Sequence, residues 1–154
     1  MIALQPRLAS LNAYDFGFLR ERYSEDHPKY APFFDEAASE LRKFYELVLS
    51  SNGPLAVLSK KVDELWHTHV LHTPQYRAFS SQVLGDYIDH QPHSELTPVP
   101  GAAITNFYRE YTDRFGSVPS IWTEDIPVAH MADLRRGKVP AAMLEMRWSG
   151  WPGK

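Results

Sequence analysis

Between Pro32 and Ser50 the apolar residues Phe33/Phe34, Ala37/Ala38, Leu41, Phe44/Tyr45 and Val48 recur every three to four positions. That period is the signature of a helix with one buried stripe. Proline at the first helical position and Asn52-Gly53-Pro54 after the last turn mark its two ends. A stripe this wide needs other helices to cover it, so the segment already selects a helix-on-helix architecture.

The rest of the chain supplies them. Asn12 to Tyr23 reads as a first helix, with Tyr14, Phe18 and Leu19 at helical spacing and Asn12 as a cap. A third helix is expected from about Pro54 to Val70, with Leu55, Leu58, Val62, Leu65 and His69 on one face. Thr73-Pro74 starts a fourth, which ends at Gly85, and Ala102 to Phe115 forms a fifth closed by Gly116. Between them, Asp86 to Gly101 carries Pro92, Pro98 and Pro100 and reads as irregular. No strand alternation or internal repeat stands out. The expectation is all-α, a compact bundle of about five helices with an irregular Pro/Gly-rich C-terminal tail. Residues 1–125 are expected to form one helical domain. Residues 126–154 would be an extension with a short helix near Val128 to Arg136 and a loose tail containing Trp148 and Trp151.

Chemistry is concentrated in Val62-Asp-Glu-Leu-Trp-His-Thr-His-Val-Leu-His-Thr73, which holds three of the seven histidines. With no cysteine in the chain, thiolate ligands, iron–sulfur clusters, disulfides and a cysteine nucleophile are excluded. A metal would have to be held by imidazole and carboxylate. Helix geometry sorts the candidates: residues three or four apart share a face, whereas those two apart point about 160° apart. Asp63 or Glu64 can therefore act with His67, but His67 and His69 cannot reach one ion from a regular helix.

This gives a first station of Asp63 or Glu64 with His67, joined by His90 or His93. Two imidazoles and a carboxylate suit non-haem iron, or zinc with an open water position. A second station pairs His69 with His72, and His69 equally fits a core histidine with its nitrogens satisfied internally. His27 and His130 read as solvent-facing. Glu64 is also a candidate general base, and Tyr76 a candidate hydrogen-bonding group, though its spacing to Phe79 fits core packing. The metal expected is a divalent transition ion, iron first, with zinc or copper as alternatives.

The function expected is a small metal-dependent enzyme acting on a small organic molecule, such as a non-haem iron oxidase or oxygenase step. The alternatives are a non-catalytic interaction module with a structural histidine cluster or zinc site, and a metal-assisted hydrolase. A net charge of -3 gives no electrostatic reason to expect nucleic acid or anionic lipid as partner. The N-terminal Met1 to Arg7 lacks the pattern of a secretory signal, and no apolar run is long enough to span a bilayer, so a cytoplasmic protein is expected. The oligomeric state is not encoded in any of these features.

Val62-Asp63, Leu65-Trp66-His67-Thr68-His69, Leu71, Thr73, Tyr76, Phe79, Gly85 and the later His90 and Pro92 give this region a familiar look. With Phe115-Gly116, Pro119 and Trp122 downstream, the stretch from about Ser59 to Trp122 resembles the glycine-rich domain-containing protein-like family. That resemblance implies a helical domain and draws attention to Trp66, His67 and His90. It implies no reaction. The glycine-rich region of the plant relatives has no counterpart among the eight glycines here, and Ser80 or Ser81 stands where relatives often carry cysteine.

Overall fold

A computed structural model describes residues 4–93, 99–146 and 148–154. Pro98 of the irregular stretch and Arg147 at the start of the tail lie outside the described residues. Helices dominate, as the periodicity requires, and the contacts divide the chain into two compact units. The first comprises Met1–Ser50 and Lys61–Ile88, the second Ser51–Lys60 and Asp89–Lys154. No described helix is long and apolar enough to cross a membrane.

The first unit holds α1 (Leu4–Ala13), α2 (Arg20–Asp26), α3 (Phe34–Ser50), α4 (Lys60–Leu71) and α5 (Thr73–Phe79). The single helix expected over Asn12 to Tyr23 is broken in two. The Asp15 carboxylate accepts the Gly17 amide at 2.7 Å, a local turn that competes with helix, and a 3₁₀ turn at Gly17–Leu19 leads into α2. In α3 most of the periodic stripe is buried, with Phe34, Ala37, Leu41, Phe44, Tyr45 and Val48 shielded from solvent, whereas Phe33 ends a 3₁₀ turn before the helix and is exposed and Ala38 is half-buried. Each large side chain so buried contributes about 1.5–3 kcal/mol of transfer free energy. Behind α5, Ser80–Leu84 winds as a π turn and ends on Gly85 at φ 87°. Glycine suits that position because the left-handed backbone is one that other residues rarely adopt.

The second unit adds a small sheet that the sequence does not announce. Strands β1 (Leu55–Val57), β2 (Gln91–Pro92) and β3 (Ser149–Trp151) form an antiparallel sheet in the order β1-β3-β2, with Leu55 opposite Trp151 and Gln91 opposite Gly150. Leu55 to Leu58 is therefore not the first turn of the third helix. Its backbone is taken by β3, and α4 starts only at Lys60, whose amide is capped by the Asp125 carboxylate at 2.8 Å. The tail is likewise ordered rather than loose: Trp148 and Trp151 are buried, and the Trp148 indole donates to the Met143 carbonyl at 3.0 Å. A β-carbon at Gly150 would sit 2.6 Å from the Leu55 carbonyl oxygen, so only glycine permits this pairing. Helix α6 (Gly101–Phe115) packs on β1, and its Phe107 ring lies 4.6 Å from Trp122 of the short α7 (Ser120–Thr123). Helices α8 (Val128–Arg135) and α9 (Ala141–Leu144) complete the unit.

Candidate functional site

The histidine-rich segment is helix α4, and its two faces meet different surroundings. Val62, Leu65, Trp66 and His69 turn inward and are fully buried. Around the His69 ring stand Tyr14, Phe16, Phe18, Tyr45, Tyr76 and Phe79, with centroids 4.8 to 6.0 Å away. Its Nδ1 lies 2.8 Å from the Tyr45 hydroxyl and its Nε2 3.3 Å from the Tyr14 hydroxyl. A neutral imidazole offers one donor and one acceptor, so one tyrosine accepts from the ring and the other donates to it. A charged ring would lose that match and its hydration. Burial, with a smaller contribution from His72, pushes the His69 pKa down to about 3. Burial also raises Tyr14 to about 12 and Tyr45 well above the ordinary phenol value. All three groups are neutral at pH 7.

A second internal chain lies beside it. The Trp66 indole donates to the Tyr76 hydroxyl at 3.0 Å, and that hydroxyl donates to the Ile88 carbonyl at 2.5 Å. Tyr76, a candidate catalytic group by sequence, is thus a buried link between α4 and the segment after the π turn. His72 donates from Nδ1 to the Thr68 carbonyl at 2.8 Å, closing the end of α4, with Phe18 edge-on to its ring.

The outer face brings together Glu64 and His67, as three-residue spacing requires. Glu64 Oε2 is 3.7 Å from His67 Nδ1 and 3.1 Å from Nε2 of His27. His27 is the residue sequence reasoning missed. It reads as a solvent-facing loop histidine, yet it terminates α2, its amide donating to the Tyr23 carbonyl at 2.9 Å. Its ring stacks on Tyr30 at 5.7 Å and leans on Tyr23. Tyrosines four before and three after it were the available signal. Asp63 is half-buried on the same helix.

The remaining candidates, His90 and His93, belong to the second unit and are half-buried on either side of β2. The His93 amide donates to the Trp148 carbonyl, and its side chain lines a cavity of about 150 Å³ with Pro54, Gln91, Pro100, Ala103 and Trp151. Among the described residues, no three or more His, Asp or Glu side chains stand in an arrangement that holds a metal ion.

Comparison with known proteins corrects the resemblance drawn from the Trp-His pattern. Neither a search of curated proteins nor one of solved structures returned a match. The family model that matches describes a UCP032817-like protein, not a glycine-rich domain-containing one, and it covers residues 7–111. The earlier likeness rested on a short pattern that begins near Ser59. The match also takes in the connection from α1 to α2 and helix α3, which supply Tyr14, Phe16, Phe18 and Tyr45 around His69. The chain belongs to the UCP032817-like family.

Proposed function

We propose that the chain is a non-catalytic interaction module, cytoplasmic, in which the histidine-rich segment holds the fold together. The observation that carries this reading is His69, whose two ring nitrogens are both engaged by tyrosine hydroxyls inside an aromatic enclosure. Trp66 and Tyr76 support it, since their polar atoms also bond internally. A buried polar network satisfied in this way rigidifies the core beneath any surface on which a partner would dock.

The second reading is a metal-dependent enzyme acting on a small molecule, with iron, zinc or copper as cofactor. It is favoured by the carboxylate of Glu64 standing within reach of both His27 and His67. Elemental analysis of the untagged protein separates the two. The module reading expects no stoichiometric iron. One iron per chain, with visible absorption that changes on exposure to oxygen, overturns it in favour of the enzyme.

A further inference from the structure

We propose that the cleft between helix α3 and the connection from α1 to α2 binds a small zwitterion, a free α-amino acid with a polar side chain. Its carboxylate meets the guanidinium groups of Arg20 and Arg42, and its ammonium meets the carboxylates of Asp15 and Asp35. The site needs neither a metal nor a protein partner, so it goes beyond both readings above.

The cleft lies wholly within the first unit and has a volume of about 300 Å³. Such a volume is at the lower end for ligand sites and suits a molecule of amino-acid size. Asp35, Ser39 and Arg42 share a face of α3, at spacings of four and three residues, and make one wall. Asp15, in the turn after α1, and Arg20, at the start of α2, make the other. Each wall therefore carries one charge of each sign. A ligand of a single sign would face two like charges, whereas one that bears both finds an opposite charge for each.

The arginines are already held in place. The Arg42 guanidinium lies 4.8 Å from the centre of the Phe16 ring and donates to the Leu11 carbonyl and, at 2.8 Å, to the Tyr14 carbonyl. Those bonds occupy two of its five N–H groups, and both acceptors are neutral. No carboxylate among the described residues stands in ion-pair contact with it. Burial pushes its pKa down, with Asp15 acting the other way. A half-buried cation answered mainly by carbonyls gains from a carboxylate that brings charge-assisted bonds.

Arg20 lies 4.5 Å from the centre of the Phe34 ring, and its Nη2 is 2.5 Å from Asp35 Oδ1. That pair is exposed, 53% and 86%, so opening it to admit a ligand costs little. Asp15 Oδ1 accepts the Gly17 amide at 2.7 Å, which fixes the carboxylate and leaves Oδ2 to an ammonium group. Ordering cost on binding is correspondingly small.

The test is a titration of L-glutamine into the untagged, nitrogen-15-labelled full chain, followed by NMR. Saturable shifts are expected at the Gly17 amide and the Arg20 and Arg42 side chains, with a midpoint on the order of 1 mM. Glutaramate, which lacks the ammonium, and 4-aminobutanamide, which lacks the carboxylate, should each bind at least about tenfold more weakly. Asp15→Asn keeps the acceptor for the Gly17 amide but not the charge. It and Arg20→Gln should each weaken L-glutamine binding about tenfold, with unchanged circular dichroism, whereas Arg135→Gln should not. Absence of saturable shifts overturns the proposal. So does equal binding of either singly charged analogue, indifference to both cleft variants, or shifts centred outside the cleft.

Discussion

His67 and His69 stand two positions apart on one helix and have opposite circumstances. His69 is fully buried, neutral and hydrogen-bonded at both nitrogens, while His67 is half exposed and faces a carboxylate. The residue type is the same, so the difference comes from helical geometry alone. What the contrast teaches is that a histidine-rich motif is not one site. The inward ring holds the fold, and the outward ring faces Glu64 at the surface.

The largest expected break in this contrast is His69→Ala. It removes a ring packed among six aromatic neighbours and strands the hydroxyls of Tyr14 and Tyr45, a loss of about 3–5 kcal/mol. Urea denaturation measures it, and a loss below about 1 kcal/mol would mean that the enclosure is not structural. Acid is the next lever. With its folded pKa lowered to about 3 against about 6.5 in the unfolded chain, His69 contributes full stability above about pH 6.5. That contribution falls as pH drops from about 6.5 toward 3, because the unfolded chain takes up a proton that the folded chain refuses. The expected loss from this group between pH 6.5 and 5 is about 2 kcal/mol. Denaturation midpoints at pH 7 and 5 check it, and a His69→Gln variant should lack that part of the slope.

Tyr45→Phe sharpens the comparison further. It leaves one His69 nitrogen without its hydroxyl, at about 1–2 kcal/mol, readable as a lower thermal midpoint. His67→Ala should change stability by less than about 0.5 kcal/mol. A cost as large as that of Tyr45→Phe would show that the outer face also carries the fold.

Much of this was legible in the sequence because helices advertise themselves locally. The stripe of α3, the Gly85 and Gly116 stops, and the opposition of His67 to His69 all follow from spacing. What escaped is what depends on distant partners. Strand β1 is three residues long, too short for any period, and its apolar Leu55-Ala56-Val57 is equally good helix until β3 pairs with it. The tail looked loose because Trp-Ser-Gly-Trp-Pro-Gly has no local preference; its order comes from backbone groups far back in the chain. His27 was hidden for the same reason, since nothing in its neighbourhood names Glu64 as its companion.

The pairing of β1 with β3 sets a schedule on the growing polypeptide. Leu55–Val57 is synthesised, apolar, long before the residues that cap its open edge. Until they arrive, that edge offers unsatisfied amides and carbonyls to any passing strand. Chains cut short before Ser149 should therefore self-associate through this edge, and Gly150→Val, which blocks the docking of β3, should do the same at full length.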